Sequence, residues 1–277
     1  MTVARRAIST GVAKLCRSLS RAPSLQKHAF NAMRLNRPEV REIITSNDIR
    51  FLSYCLSRRD QSRSQILQDL WVCFELGEKQ GGFFVEFGAT NGQKNSNTWL
   101  LEKKFGWTGI LAEPNPVWHA DLRTNRTAHI ETNCVYACSG ETVPFIMTNG
   151  TDPELSGIAK FSRLDHFADV RSRGDIAEVP TISLDDLLDK FSAPQIIDYM
   201  SIDTEGSELN ILSSFSFRHK FKLITIENNK KNEVALDELL SSQGYTRVFR
   251  EFSQWDSWYV ARDLRQASQL VIIAPDA

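Results

Sequence analysis

Residues 83–92, FFVEFGATNG, constrain this chain more than any other stretch. The apolar run around Glu86 is β-favouring and too short for a helix, so it reads as a buried strand. Gly88 follows at once and Gly92 soon after. A strand that empties into glycines lets backbone approach a ligand where a Cβ would stand in the way. The second part of the signal is the run 109–114, GILAEP, another short strand with Glu113 at its end. Glu113 lies 21 residues after Gly92. At that spacing an α/β unit brings a carboxylate to the hydroxyls of a ribose, in a crevice at the carboxyl ends of the strands.

With 277 residues, 42% of them hydrophobic, the chain has the material for one main domain plus an extension. A chain of this length buries roughly three-quarters of its unfolded surface. The net charge of −1 hides a division: residues 1–38 carry eight Lys and Arg and no acid, leaving −9 on the remainder. An acidic main domain disfavours nucleic acid as a partner, because phosphate binding needs a basic surface. The five cysteines show neither zinc-type pairing nor a disulfide framework, which fits a reducing, cytoplasmic setting. No apolar run is long enough to read as a transmembrane helix.

In the basic segment, Ile8, Val12, Leu15 and Leu19 share one helical face, with Arg5, Lys14, Arg17 and Arg21 around it. Three readings stay open: a helix on an anionic membrane surface, an organelle transit peptide, or a solvated basic arm. With a mixed helical connector this extension takes residues 1–60. A helix is predicted over 61–79, stopped by Gly81 and Gly82, with Gln65, Gln68 and Asp69 towards the ligand mouth. Another is predicted over 96–105, its N-terminal amides aimed at the ligand, and a third over 117–123. Residues 132–137 read as the third strand, whose exit would set Ala137 and Ser139 beside an adenine ring. Residues 140–196 read as an insertion or lid, with strand pieces at 143–148 and 179–184. Between them lies a basic stretch that includes His166.

The second informative run is 196–207, IIDYMSIDTEGS, a buried strand with Asp203 and Glu205 at its carboxyl end. Acids placed there are costly unless they touch something. The strand 221–227 brings Glu227 to the same kind of edge, and a helix over 233–240 follows. An antiparallel hairpin, 245–250 with 258–262, closes a domain of residues 61–263, and 264–277 form a tail.

Together these pieces resemble the FkbM family of S-adenosylmethionine-dependent methyltransferases. The resemblance is carried by FFVEFGATNG, SNTWLLEK, GILAEPNP, VPTISLDDLL, IDYMSIDTEGSELNIL and WDSWYV, in that order between Ser64 and Val260. It implies a Rossmann-like α/β sheet of seven strands, mostly parallel with the last antiparallel, and helices on both faces. It also implies O-methylation, commonly of a sugar hydroxyl in a glycolipid, polysaccharide or secondary metabolite. On this reading Glu86, Gly88, Ala89, Asn91 and Gly92 form the cofactor loop, and Glu113 with Pro114 takes the ribose. Ala137 and Ser139 flank the adenine, and Asp203 adjoins the cofactor. The candidates for accepting or orienting the hydroxyl proton are Asp203, then Glu205, then Glu227, with His166 last. Those three acids at one sheet edge would also suit a divalent cation such as magnesium.

Two other classes compete. An NAD-dependent oxidoreductase would need a second βαβαβ half and a parallel last strand, which the terminal hairpin opposes. A non-catalytic, membrane-peripheral module that holds a glycolipid would have no use for Glu113, Asp203 and Glu205.

Overall fold

The computed structural model describes residues 22, 27, 31, 46–148, 152–163, 167–228 and 231–263. The basic segment 1–38 (three single residues apart), His166 and the tail 264–277 therefore lie outside the described residues. The chain divides between Leu56 and Ser57 into two units. Helix α1 (Asn47–Arg58) buries Phe51 and Cys55 and exposes Ile49, Leu52 and Leu56.

The second unit is built on a seven-stranded sheet. Its strands are β1 (Phe83–Phe87), β2 (Thr108–Ala112) and β3 (His129–Glu131), then, past a smaller sheet, β8 (Ile196–Ile202), β9 (Lys220–Glu227), β10 (Tyr245–Val248) and β11 (Asp256–Ala261). Across the sheet the order is β10-β11-β9-β8-β1-β2-β3. β1 pairs in parallel with β2 and β8, whereas β11 runs antiparallel between β9 and β10. This is the expected Rossmann-like sheet with its last strand reversed, where an NAD-dependent oxidoreductase would need a parallel one.

Strands covered on both faces read as near-continuous apolar runs, as β1, β8 and β9 do. Val85, Phe87, Met200, Ile202 and Ile224 face one side and pack with Leu184, Leu187, Ile211, Leu212, Leu236 and Leu240. Those partners come from helices α6 (Leu184–Lys190), α7 (Glu208–Ser214) and α8 (Glu233–Ser242). On the other face lie α2 (Gln68–Glu75) and α3 (Trp99–Phe105), and Trp71 of α2 stacks on Trp258 of β11 with centroids 5.1 Å apart. Each fully buried aliphatic or aromatic side chain of this kind contributes about 1.5–3 kcal/mol.

Two expectations are corrected. The strand foreseen at 132–137 is not the third strand of the main sheet. After β3 the Glu131 carboxylate accepts from the amides of Thr132 and Asn133, which ends the ladder there. The chain then enters β4 (Cys134–Tyr136), which joins a four-stranded sheet with β7 (Asp175–Ser183), β5 (Thr142–Met147) and β6 (Gly157–Ile158). The insertion is thus largely a small sheet of its own, with a short helix α5 (Ala168–Arg171) before β7.

The first long helix also starts later than its periodicity predicts. Leu67 takes the left-handed conformation, φ 68°, and the segment before it wraps around Asp69. That carboxylate accepts from the Ser62 hydroxyl at 2.6 Å and the Arg63 amide at 3.0 Å. Helix α4 (His119–Asn125) follows a single 3₁₀ turn at Pro116–Trp118.

Candidate active site

The carboxyl ends of β1, β2, β8 and β9 open into a cavity of about 770 Å³. Gly88, Glu113, Pro114, Asp203, Glu205 and Glu227 all line it. The insertion closes the opposite wall with Phe145, Leu155, Ile158 and Phe167. Gly88 is where two strand ends meet. Its φ is +74°, and a Cβ there would stand 2.2 Å from the carbonyl oxygen of Asp203. Only a glycine lets the loop after β1 lie this close to the loop after β8.

Glu113 is buried at the end of β2, and both of its oxygens are held by backbone. Oε2 accepts from the Thr90 amide and Oε1 from the Asn115 amide, each at 2.8 Å. Burial pushes its pKa up to about 7, the two amides oppose the rise, and the nearby Asp203 charge adds to it. The remaining lone pairs can accept hydroxyl protons from a ligand in the cavity.

Asp203 and Glu227 form a carboxyl pair. One oxygen each of Asp203, Glu205 and Glu227 lies within 4.8 Å of the others. The Asp203 charge, followed by burial, drives Glu227 well above the ordinary carboxylate range. Burial also raises Asp203, but its hydrogen bond from Glu227 pulls the other way. The two carboxyls therefore share a proton, Glu227 being raised by the Asp203 charge and by burial, and Asp203 by burial. Glu205 is engaged differently: Arg171 of α5 donates to its carboxylate and to the Leu155 carbonyl, tying the insertion to the loop after β8. The three-acid spacing is one a divalent ion could use, but the guanidinium already neutralises Glu205 and the shared proton relieves the other two.

The remaining sequence candidates fall into distinct places. Glu86 borders the cavity, yet its carboxylate is consumed inside the protein. It accepts from the Asn97 amide at 2.6 Å, the Thr98 hydroxyl at 2.5 Å and the Ser96 hydroxyl at 3.0 Å, with Arg126 at 3.6 Å. Together with the Ser96 hydroxyl, which takes the amides of Thr98 and Trp99, it occupies the N-terminal end of α3. Those amides are not directed at a ligand, contrary to the expectation from sequence. Nor are the loop amides, since Gly88 and Ala89 donate to the Ala112 carbonyl and Thr90 to Glu113.

Ala89 is buried off the cavity, and Asn91 folds its side chain onto the amides of Gln93 and Lys94. Gly92 makes room for protein: a Cβ would stand 2.5 Å from Cγ of Arg126. Ser139 accepts from the Ser183 amide and donates to Asp186, on an exposed edge; neither it nor Ala137 borders the cavity, where Cys134 and Val135 stand instead. Of the residues expected at the mouth, Gln65 lines it, Asp69 is structural, and Gln68 donates to Asp256 at 2.9 Å. Asp256 was not foreseen. It pairs across the ladder with Glu227, and burial raises its pKa to about 8.

The family model described as the methyltransferase FkbM domain matches residues 86–247. No curated protein is close enough in sequence to count as a match. Among solved structures, a precorrin-6y C5,15-methyltransferase from Geobacter metallireducens GS-15 is similar over 65% of this chain and 72% of its own, with 14% identity and a TM-score of 0.36. The human methyltransferase 10 domain containing protein matches over 76% of this chain and 93% of its own, at 12% identity and TM-score 0.34. A mutant of MtNAS in complex with S-adenosylmethionine matches over 88% of this chain and 79% of its own, at 12% identity and TM-score 0.33.

Proposed function

Because the chain belongs to the FkbM methyltransferase family, we propose that it moves the methyl group of S-adenosylmethionine onto a hydroxyl oxygen, that of a sugar in a glycolipid, polysaccharide or secondary metabolite. The observation that carries this reading is the convergence of Gly88, Glu113, Asp203 and Glu227 on one cavity from four separate strand ends. The cavity fits the cofactor chemically. It pairs a buried carboxylate suited to ribose hydroxyls with further acids suited to a sulfonium charge, and its apolar wall suits an adenine. Glu113 would hold the ribose, Gly88 and Pro114 would border the nucleoside, and Cys134 with Val135 would flank the base.

When bound, S-adenosylmethionine supplies an electrophilic methyl on sulfur and leaves as a neutral thioether. The protein must then align a hydroxyl oxygen behind that methyl and receive its proton. Asp203 is the acceptor for that proton. Glu227, protonated, fixes the Asp203 carboxylate by donating to it. Glu205, held by Arg171, keeps the loop after β8 in place while the oxygen–carbon bond forms and the carbon–sulfur bond breaks. A cation shared by the three acids stays a secondary reading, resting on their mutual spacing alone.

The test compares surface glycans and glycolipids by mass spectrometry from cells with and without the gene. The reading expects species lighter by one methyl when the gene is absent. Identical profiles, with purified protein that also shows no thermal shift on adding S-adenosylmethionine, would overturn it.

A further inference from the structure

The closing run WDSWYV holds two tryptophans with opposite fates. Trp258 stacks on Trp71 in the core, whereas Trp255 lines the cavity with 46% of its surface exposed. Among the described residues it is the one exposed large hydrophobic side chain that borders the cavity. Scattered exposed apolar residues are ordinary on a protein surface, but an aromatic at a cavity mouth stands where a ligand enters. The backbone that carries it is fixed. The Trp255 carbonyl accepts from the Asn228 amide at 2.9 Å, and the Asp256 amide donates to the Ser253 carbonyl at 2.7 Å. Ser253, Asp256 and Ser257 are buried, so Trp255 is presented from a rigid edge. Asp256 pairs across the ladder with Glu227, which puts Trp255 beside the end of β9. Across the sheet β11 and β2 lie on opposite sides of β8, four strand spacings or about 19 Å apart. Trp255 therefore stands on the far side of Asp203 from Glu113, away from the end that would take the nucleoside.

We propose that Trp255 is the acceptor platform: its indole face stacks on the C–H face of a pyranose that offers a hydroxyl to Asp203. This deepens the methyl-transfer reading and rests on it. A pyranose is amphipathic, with C–H groups across a ring face and hydroxyls around its edge. An indole at a wet mouth suits that shape, because it covers the apolar face and leaves the polar edge to other partners. Those partners are at hand: Gln65, Lys94, Asn95, Asn228 and Lys231 also line the cavity and carry hydrogen-bonding side chains. An acyl chain as the group beside Trp255 fits less well, since it would need an apolar path outwards and these five residues are polar.

The experiment gives the full-length protein radiolabelled S-adenosylmethionine and, as acceptor, the glycan and glycolipid fraction of cells that lack the gene. Wild type is expected to label this fraction, with the label recovered in monosaccharides after acid hydrolysis. Trp255→Ala should raise the apparent KM for the fraction about tenfold or more. Its melting temperature and its dissociation constant for S-adenosylmethionine, read by calorimetry, should match wild type. Trp255→Phe keeps a flat ring and should recover most of the loss, while Trp255→Leu keeps only apolar bulk and should not. If the alanine variant folds poorly, the contrast between Phe and Leu decides alone. A folded alanine variant with the wild-type KM would overturn the proposal, as would Leu serving as well as Phe, or label found in acyl chains. Wild type that binds S-adenosylmethionine yet labels nothing overturns the platform and leaves cofactor binding standing. Wild type that does not bind S-adenosylmethionine brings down the methyl-transfer reading itself, and the platform with it.

Discussion

At the scale of single residues, the proton between Asp203 and Glu227 sets what the site can do. Two carboxylates this close cannot both ionise cheaply, so one keeps a proton and orients the other. Asp203→Asn removes the acceptor without changing shape. Turnover should fall about 100-fold or more while the dissociation constant for S-adenosylmethionine, read by calorimetry, stays within a few-fold. Unchanged turnover would remove Asp203 from the chemistry. Glu113 answers to the opposite split. With a pKa raised to about 7, it is a hydroxyl acceptor above that pH and protonated below it. Cofactor affinity should therefore weaken as pH drops through about 7. Glu113→Gln should weaken it by about 10- to 100-fold at pH 8, the worth of hydrogen bonds to a charged group, and flatten that pH dependence. Both acids were legible in the sequence because an acid ending an apolar strand has few structural explanations. Arg171 and the Gln68–Asp256 pair were not. Gln68 and Asp256 are 188 positions apart and meet only once β11 is threaded between β9 and β10.

Among the elements, the meeting of the β1 and β8 loops at Gly88 is the tightest constraint on the site. Gly88→Ala would force a Cβ to within 2.2 Å of the Asp203 carbonyl at a left-handed φ. Gly77 is the control: its φ is +60° but nothing lies within 4 Å of the added atom. Gly77→Ala should cost only the conformational strain, about 1 kcal/mol, whereas Gly88→Ala should cost about 2–4 kcal/mol. Chemical denaturation of the pair separates clash from strain, and equal losses would show that the loops can part freely. The strand at 83–87 and its glycine were plain from residue pattern. The purpose of the neighbouring groups was not, because an amide's partner is a three-dimensional fact. Glu86, Ser96 and Arg126 use the polar atoms that a sequence reading had directed to a ligand. The same limit explains β4: an apolar run announces a strand, but the Glu131 carboxylate that ends β3 decides which sheet the run joins.

For the molecule as a whole, the buried acids make stability depend on pH in a direction that can be worked out. Glu113 and Asp256 keep their protons up to about 7 and about 8 in the folded state. In the unfolded chain the same groups release them near 4 to 4.5. Between roughly pH 5 and 8 the folded protein therefore binds more protons than the unfolded one, so stability falls as pH rises. Groups shifted the other way, such as Asp198 between Lys79 and Lys222, have contributed in full by the time that window opens, and add no slope within it. Raising the pH from 6 to 8.5 should lower the melting temperature of the ligand-free protein by about 5–10 °C, a few kcal/mol for a chain of this size. S-adenosylmethionine is cationic at sulfur and finds these carboxylates in the form it favours at high pH, so the stabilisation it gives should grow over the same interval. A melting temperature that climbs with pH in the ligand-free protein would mean that these acids are ionised and solvated, and the carboxylate pair would lose its shared proton.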